Sequence, residues 1–246
     1  MHKYLSKSEF KKVNSLKIKK YRYIEGLFIA EGHKIINDLI LSDFEPELLI
    51  VSDTVKNNLF KVNPNKIRWA NEKDLKKLSA LKNSTDYLAV FKIPQPDTNI
   101  PKSEWILAAD FIQDPGNLGT LIRIADWFGI KNIVCSENTV DAYNPKVVQA
   151  TMGSIAHVNI HYLSLEDWLK AAERKVYAGT LDGKDIRSIS FKDPGILLIG
   201  NEGNGVSEEL LPYITESVLI PKFGRAESLN ASVAAGIMVS FAFLKH

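Results

Sequence analysis

The chain has 246 residues, of which 45% are hydrophobic and 24% are charged. This length allows one large domain or two modest ones, and the composition is that of a globular protein rather than a disordered or collagen-like one. No apolar run approaches the ~20 residues of a membrane helix, and the lysine-rich start has no apolar segment behind it, so neither a membrane protein nor a signal peptide is expected. The one cysteine, Cys135, excludes an internal disulfide framework and fits a reducing cytoplasm.

Charge is distributed unevenly along the chain. Residues 1–98 contain 18 Lys and Arg against 12 Asp and Glu, a net charge of +6, whereas residues 99–246 contain 13 against 17, a net charge of −4. Clustered Lys and Arg release counterions when they neutralise phosphates, so the basic part is a candidate polyanion-binding surface. A solvated helix face explains the lysine run equally well.

The first part of the chain predicts a small α/β unit. We expect a helix over residues 4–20 and then a turn at Glu25-Gly26. Apolar patterning next predicts strands at 27–30, 47–51, 66–70 and 87–91, with helices at 33–41 and 72–78. Three prolines in residues 93–101 and the loss of periodicity predict a linker. The expected boundaries are therefore 1–92 for this domain and 93–103 for the linker.

The remaining residues, 104–246, predict a second α/β domain. Short apolar strands are expected at 105–112, 132–135, 157–162, 176–180, 196–199 and 218–220. Most lack a polar face, which is typical of a parallel sheet covered by helices on both sides. Helices fit between them at 118–128, 145–155, 164–172, 208–214 and from about Asn230 onward, with Pro145 suited to a first turn and Ser164 to an N-cap.

Three loops in this domain combine glycine with polar side chains at predicted strand ends, where open α/β sheets bind their ligands. In the first, residues 113–120, a helix starting near Leu118 would place Asn117 at its cap and project Arg123 toward a common site. A Pro-Gly turn with a capping asparagine and a surface arginine is an alternative explanation.

The second loop, residues 200–207, has neither a Walker nor a dinucleotide fingerprint, so its glycines are expected to let backbone approach a ligand closely. The third, residues 220–232, leads into the last helix. An alternative explanation for its Ser228, Asn230 and Ser232 is that they are helix caps without a further role. The occurrence of all three loops in one domain favours a functional site.

Together the loops resemble the three signature motifs of the SpoU/TrmH family of RNA ribose 2′-O-methyltransferases. In the family's order, the motifs are Asp114-Pro115-Gly116-Asn117-Leu118-Gly119-Thr120 with Arg123, then Gly200-Asn201-Glu202-Gly203, then Ile220-Pro221 with Ser228-Leu229-Asn230-Ala231-Ser232-Val233-Ala234. The string Phe28-Ile29-Ala30-Glu31-Gly32 before a helix is similar to the family's N-terminal RNA-binding domain of ribosomal-protein-like fold. Lys222 stands where an apolar residue is common in the family, and Ala231 where valine is common.

The resemblance implies a parallel-sheet domain with a deep C-terminal trefoil knot, S-adenosylmethionine as the methyl donor, and a homodimer formed through the C-terminal domain with the site near the interface. It implies an RNA substrate, ribosomal RNA in preference to transfer RNA, and neither DNA nor a membrane as partner. A non-catalytic RNA-binding protein is the alternative. The residues that match the family's donor contacts are Gly200, Asn201, Ile220 and Leu229, with Thr180 as a weaker candidate. Those that match its catalytic set are Asn117, Arg123, Glu202, Ser228 and Asn230.

Arg123 is the family's candidate for helping the ribose hydroxyl to lose its proton. Because a guanidinium stays charged in proteins, we expect Arg123 to orient the hydroxyl and a phosphate rather than to accept the proton. Glu202 is expected to position Arg123 or the substrate. No metal is expected, because His157 and His161 share a strand face without a third ligand.

Overall fold

The computed structural model describes residues 3–56, 60–95 and 100–244, and these separate into two compact units. The first unit contains the described residues up to Gln95 together with Asp141–Ala156, and the second contains the described residues of 100–140 and those from His157 onward. The segment 141–156 thus interrupts the second unit in sequence and packs as part of the first. No helix in the described ranges is long and apolar enough to cross a membrane.

The first unit is built on a four-stranded sheet in the order β1-β4-β2-β3, in which β2 and β3 are parallel and the other pairs antiparallel. Its strands are β1 (Leu27–Glu31), β2 (Pro46–Ser52), β3 (Ile67–Ala70) and β4 (Tyr87–Lys92). Its helices are α1 (Lys7–Ser15), α2 (Lys19–Glu25), α3 (His33–Leu41), α4 (Glu72–Leu78) and α6 (Pro145–Thr151). The predicted small α/β unit is confirmed.

The single helix predicted over residues 4–20 is wrong, because the chain forms two helices there. α1 begins after Ser6, whose hydroxyl accepts from the Glu9 N–H while Glu9 accepts from the Ser6 N–H, a capping box. The chain turns at Leu16 and Lys17, and both carbonyls accept hydrogen bonds of 2.9 Å from Nη1 of Arg22. α2 then ends at Glu25, and Gly26 after it has φ 63°, the left-handed backbone conformation that commonly terminates a helix.

Arg22 also anchors the segment 141–156 within the first unit. Its Nε donates to Oδ2 of Asp141 at 2.9 Å, and the other Asp141 oxygen accepts from the Tyr23 hydroxyl at 3.1 Å and the Tyr143 N–H at 3.0 Å. Arg22 is 1% exposed and Asp141 4%, so the ion pair is fully buried. Beyond it, α6 packs against β1. This helix is shorter than the predicted 145–155 because the chain turns left-handed at Met152.

As predicted, the second unit contains a parallel sheet of six strands. Their order, which the sequence did not indicate, is β10-β8-β9-β5-β6-β7. Its strands are β5 (Ile106–Ala109), β6 (Asn132–Ser136), β7 (Asn159–Leu163), β8 (Val176–Asp185), β9 (Ile196–Ile199) and β10 (Glu216–Leu219). Its helices are α5 (Pro115–Trp127), α7 (Leu165–Ala171) and α8 (Ala231–Leu244). β5 and β9 are buried along their whole length, which explains their uninterrupted apolar sequences.

Two predicted elements of this unit differ in kind. Residues 208–214 were expected as an α-helix, but Glu208–Tyr213 is a 3₁₀ helix that contains Pro212, which has no N–H to donate. β8 continues past the predicted end at residue 180, because Lys184 and Asp185 pair with β10 after a register shift. Ser164 caps α7 as predicted, accepting from the Asp167 N–H at 3.3 Å.

Candidate active site

The first loop enters α5 three residues earlier than predicted. Asp114 is the N-cap, its carboxylate accepting from the Asn117 N–H at 2.9 Å, and Pro115 occupies the first turn. Asn117 is therefore not the cap, as expected from sequence, but a buried residue of the first helical turn. Since Asp114 performs the capping, the amide side chain of Asn117 is available for other contacts.

That amide joins the three loops in one hydrogen-bonded cluster. Asn117 Nδ2 donates to Oε1 of Glu202 in the second loop, and Asn117 Oδ1 accepts from Nδ2 of Asn230 in the third at 2.8 Å. Ser232 completes the cluster, because its hydroxyl donates to Oδ1 of Asn230 at 2.6 Å and lies 3.4 Å from Asn117 Oδ1. Three of the five predicted catalytic residues thus meet, although they come from distant parts of the sequence.

Ser232 was not assigned to the site from sequence. It was considered only as a possible cap of α8, and the structure gives the capping to Asn230, whose Oδ1 accepts from the Ser232 N–H at 3.0 Å and the Val233 N–H at 3.3 Å. The sequence did contain a signal for Ser232, because it follows Asn230 by only two residues and both side chains therefore lie at the start of α8.

The second loop is held by its own backbone and by the chain that follows β5. A Cβ on Gly200 would lie 2.3 Å from the carbonyl carbon of Gly205 and 2.4 Å from the Val206 nitrogen, so the loop itself requires a glycine there. Oδ1 of Asn201 accepts from the N–H groups of Gly203 at 2.9 Å and Asn204 at 3.1 Å. The fold of the loop is therefore sufficient reason for a glycine at position 200, and the expected close approach to a ligand stays a prediction.

Two further bonds tie this loop to the end of β5. Asn201 Nδ2 donates to the Phe111 carbonyl at 2.9 Å, and the buried carboxylate of Asp110 accepts from the Ser207 N–H at 2.8 Å. Phe111 has φ 52°, an uncommon conformation for a non-glycine residue, and its N–H donates to the Ser136 hydroxyl at 2.8 Å. Sequence reasoning missed Asp110, because a single acidic residue after a strand carries no distinctive pattern.

Two of the predicted donor residues lie at the carboxyl ends of strands, and a third lies within the strand between them. β8 lies between β10 and β9, and Gly200 and Ile220 directly follow β9 and β10. After Ala178, β8 leaves its pairing with β10 and resumes it at Lys184, so Thr180 lies in an excursion of the strand. The Thr180 hydroxyl oxygen is buried, and no atom of the described residues forms a hydrogen bond with it.

These features fit S-adenosylmethionine. An orphaned hydroxyl, strand-end backbone and the apolar side chains of Ile220 and Leu229 offer both polar and apolar contacts to an adenosine group. Leu229 is 45% exposed and Ile220 is partly buried, so both side chains retain apolar surface that a ligand can contact.

Arg123 and Ser228 do not join the cluster. At ~100° per residue, the six positions from Asn117 turn Arg123 about 240° around α5, so the two side chains leave the helix on different faces. Arg123 is exposed, and among the described residues no ion pair links it to Glu202, whose carboxylate accepts from Asn117 instead. Ser228 lies in the exposed stretch between β10 and α8.

Other reactive side chains serve the fold. Burial raises the pKa of the Cys135 thiol far above its ordinary value, so it remains a neutral small hydrophobe. Nε2 of His161 lies 3.1 Å from Oδ1 of Asn132. Within the described ranges, no group of three or more His, Cys, Asp or Glu side chains could hold a metal ion.

Both units match known protein families. The model described as the SpoU rRNA Methylase family matches residues 104–240, and the one described as the MRM3-like substrate binding domain matches residues 7–89. The chain is 31% identical over 228 residues to the 23S rRNA (guanosine(2553)-2′-O)-methyltransferase RlmP of Bacillus subtilis, covering 91% of each chain. It is 32% identical over 163 residues to a 23S rRNA (uridine(2479)-2′-O)-methyltransferase of Streptomyces viridochromogenes, covering 61% of this chain and 57% of the relative.

Solved structures extend the likeness to the whole fold. The AdoMet-bound rRNA methyltransferase of Sinorhizobium meliloti superposes with a TM-score of 0.84 at 31% identity, covering 98% of this chain and 95% of that one. A protein of Porphyromonas gingivalis, described as an RNA methyltransferase of the TrmH family, gives 0.87 at 31% identity and covers 98% and 99%. Because the methylase model spans more than half of the sequence and the Bacillus relative nearly all of it, this chain belongs to the SpoU rRNA methylase family.

Proposed function

We propose that the protein is an S-adenosylmethionine-dependent RNA 2′-O-ribose methyltransferase that acts on ribosomal RNA. The observation that carries the proposal is the hydrogen-bonded cluster of Asn117, Glu202 and Asn230, which draws all three motif loops to the strand ends where Gly200 and Ile220 lie. The two relatives named as 23S rRNA 2′-O-methyltransferases favour ribosomal RNA over transfer RNA.

The cluster holds the three loops together, and Arg123 and Ser228, which do not join it, remain exposed to a substrate. When bound, S-adenosylmethionine supplies the methyl group; the chain contributes Gly200, Asn201, Ile220, Leu229 and Thr180 to hold it. Asn201 contributes through backbone, because its side chain is engaged within its own loop. Transfer to a ribose hydroxyl requires in-line alignment and loss of the hydroxyl proton.

Arg123 is the group we assign to that hydroxyl. Its exposed guanidinium is free to hold the ribose oxygen and an adjacent phosphate, which lowers the pKa of the hydroxyl and lets a phosphate oxygen or water take the proton. Ser228 and Asn230 position the ribose from the third loop. Glu202 fixes the Asn117 amide and so keeps the first and second loops together.

Arg123→Ala tests this assignment. If Arg123 acts mainly in the transition state, single-turnover methylation at saturating RNA and donor should slow by ~10²–10⁴-fold while donor affinity stays near normal. Arg123→Lys should restore little, because an ammonium lacks the planar fork. A near-normal single-turnover rate for Arg123→Ala would remove it from the site.

Calorimetry with S-adenosylmethionine separates this function from a non-catalytic RNA-binding role. We expect saturable binding by the wild-type chain and weakened binding by Ile220→Asp, which places a charge at the strand end assigned to the donor. A chain that binds RNA and shows no donor binding would be a binding protein only.

The first unit is the proposed source of RNA affinity. Its sequence is strongly basic, and α1 and α2 expose several of its lysines, among them Lys11, Lys12 and Lys20. Removing the whole unit would leave Asp141 and the apolar face of α6 without their partners, so charge substitution is the better test. Lys11→Ala with Lys20→Ala should weaken binding to 23S rRNA and flatten its salt dependence, because two phosphate contacts are lost. Unchanged affinity and slope would place the RNA elsewhere.

We further propose a homodimer formed through the C-terminal domain. α5 exposes Trp127 to 85%, and α8 exposes Val233 and Leu244 to 50% and 71%. Because α5 packs against α8, these side chains belong to neighbouring helices and offer apolar surface that a second copy of the chain would cover. Trp127→Lys should shift the mass measured by light scattering from dimer to monomer, and a wild-type monomer would contradict the proposal.

The remaining expectations stay proposals. They comprise a trefoil knot at the C-terminus, a ribosomal-protein-like fold for the first domain, a cytoplasmic location without DNA as partner, and the boundaries 1–92, 93–103 and 104–246. The segment 141–156 qualifies the last of these, because it contributes to the compact first unit.

A further inference from the structure

The stretch between β10 and α8 carries an unusually exposed aromatic residue. Phe223 is 90% exposed, and every residue from Lys222 to Asn230 is exposed as well. Leaving a phenyl ring in water forfeits the stabilisation that burial would give it, so an exposed ring at a functional site indicates a partner.

Both ends of this stretch are attached to the candidate site. It begins at Ile220, at the strand end assigned to the donor, and it ends at Asn230, which donates to Asn117. Three residues of extended chain span at most ~10 Å, so Phe223 stays within about that distance of Ile220. The ring is therefore held at the edge of the site.

Charge indicates which partner the ring meets. Lys222 and Arg225 flank Phe223, both are exposed, and no ion pair occupies either of them within the described residues. Two free cations around one exposed ring complement a polyanion that carries flat aromatic groups. Single-stranded RNA has both features, because its phosphates pair with cations and its unstacked bases stack on aromatic side chains.

We propose that Phe223 stacks on an unpaired base of the RNA substrate next to the target ribose, while Lys222 and Arg225 contact the phosphates on either side. This surface rests on the proposed function, because it assumes an RNA substrate at the neighbouring site. It predicts that the methylated nucleotide lies in a loop or bulge rather than within a regular duplex.

The test measures the affinity of the wild-type chain and of variants for a short single-stranded RNA and for the same RNA annealed to its complement. Phe223→Ala should weaken single-strand binding by roughly 5- to 150-fold, the range that one lost base–aromatic stack produces, and should leave duplex binding unchanged. Phe223→Trp should keep most of the affinity. Leu211→Ala, which truncates a half-exposed apolar residue elsewhere in the second unit, is the matched control and should change neither.

Salt dependence separates stacking from charge. Lys222→Ala and Arg225→Ala should each reduce the slope of log affinity against log salt by ~0.7, whereas Phe223→Ala should leave the slope unchanged. Normal single-strand affinity for Phe223→Ala would overturn the inference. So would a change in oligomeric state of that variant in light scattering, because a second copy of the chain would then be the partner of the ring.

Failure here is distinguishable from failure of the proposed function. If the wild-type chain methylates 23S rRNA and Phe223→Ala binds RNA normally, only this surface is wrong. If Phe223→Ala loses single-strand affinity while the wild-type chain transfers no methyl group, the surface is supported and the proposed enzymatic activity is wrong.

Discussion

Asp141→Ala tests the assignment of the segment 141–156 to the first unit. The substitution removes the acceptor of Arg22 Nε and Nη2 and leaves a guanidinium that is 1% exposed without a counter-charge. Breaking a buried pair from one side costs about 3–5 kcal/mol. The Tyr143 N–H loses its acceptor as well, whereas the half-exposed Tyr23 hydroxyl can turn to water. Against a typical stability of ~5–15 kcal/mol, this is a large loss.

Urea unfolding combined with hydrogen exchange measures the effect by region. We expect the free energy of unfolding to fall by about 3–5 kcal/mol, with faster amide exchange in β1, α2 and α6, and with little change in β5 and β9 of the second unit. Glu25→Ala is a matched control in the same unit, because it removes an exposed partner of Lys12 and should cost no more than about 1 kcal/mol.

A double variant identifies the cause. Arg22→Met combined with Asp141→Ala removes the lone buried charge, so it should be more stable than Asp141→Ala alone. Two results would refute the inference that the buried Arg22–Asp141 pair holds the segment 141–156 in the first unit. One is an unfolding free energy for Asp141→Ala within about 1 kcal/mol of the wild-type value, and the other is increased amide exchange confined to the second unit.

Three other substitutions or treatments follow from the structure. Burial tends to raise the pKa of Glu9, but hydrogen bonds from Ser6 and the cation of Arg68 outweigh it and hold the pKa below the ordinary 4.5. Glu9→Gln should therefore lower the free energy of unfolding by about 1 kcal/mol at pH 7. Urea titrations at several pH values should show this difference vanishing as the pH falls below 4.5. Cys135, buried with a raised thiol pKa, should resist alkylation in the folded chain and react once urea unfolds it, as mass spectrometry would report. Gly200→Ala should displace the loop backbone and weaken donor binding in calorimetry. Gly224→Ala should not, because no atom of the described residues lies within 4 Å of its Cβ position. Equal donor binding by both variants would contradict the assignment of the Gly200 loop to the donor.

Local patterns were sufficient to predict the second unit's strands and the three loops. Runs such as Ile196–Ile199 are apolar throughout because both faces of a parallel sheet are covered, and the polar loops follow because ligands bind at strand ends. Asn117, Glu202 and Asn230 were assigned to one catalytic set from a family resemblance. The hydrogen bonds place the three side chains together, and their catalytic role stays a prediction.

Long-range packing explains what the sequence did not reveal. The break between α1 and α2 depends on Arg22, whose partner Asp141 lies 119 positions away, so no local pattern announces either the break or the discontinuous first unit. The start of α5 was misplaced because Asp114 and Asn117 are both good caps, and only the contact of Asn117 with Glu202 shows which of them serves another purpose.

The most direct test of the proposed function is the location of the transferred methyl group. The wild-type chain would be incubated with methyl-labelled S-adenosylmethionine and in vitro transcribed 23S rRNA, and the product digested to nucleosides and analysed by mass spectrometry. We expect label in a single 2′-O-methylnucleoside and its loss in Arg123→Ala. Label on a base, or no label despite saturable donor binding, would contradict ribose 2′-O-methylation at this site.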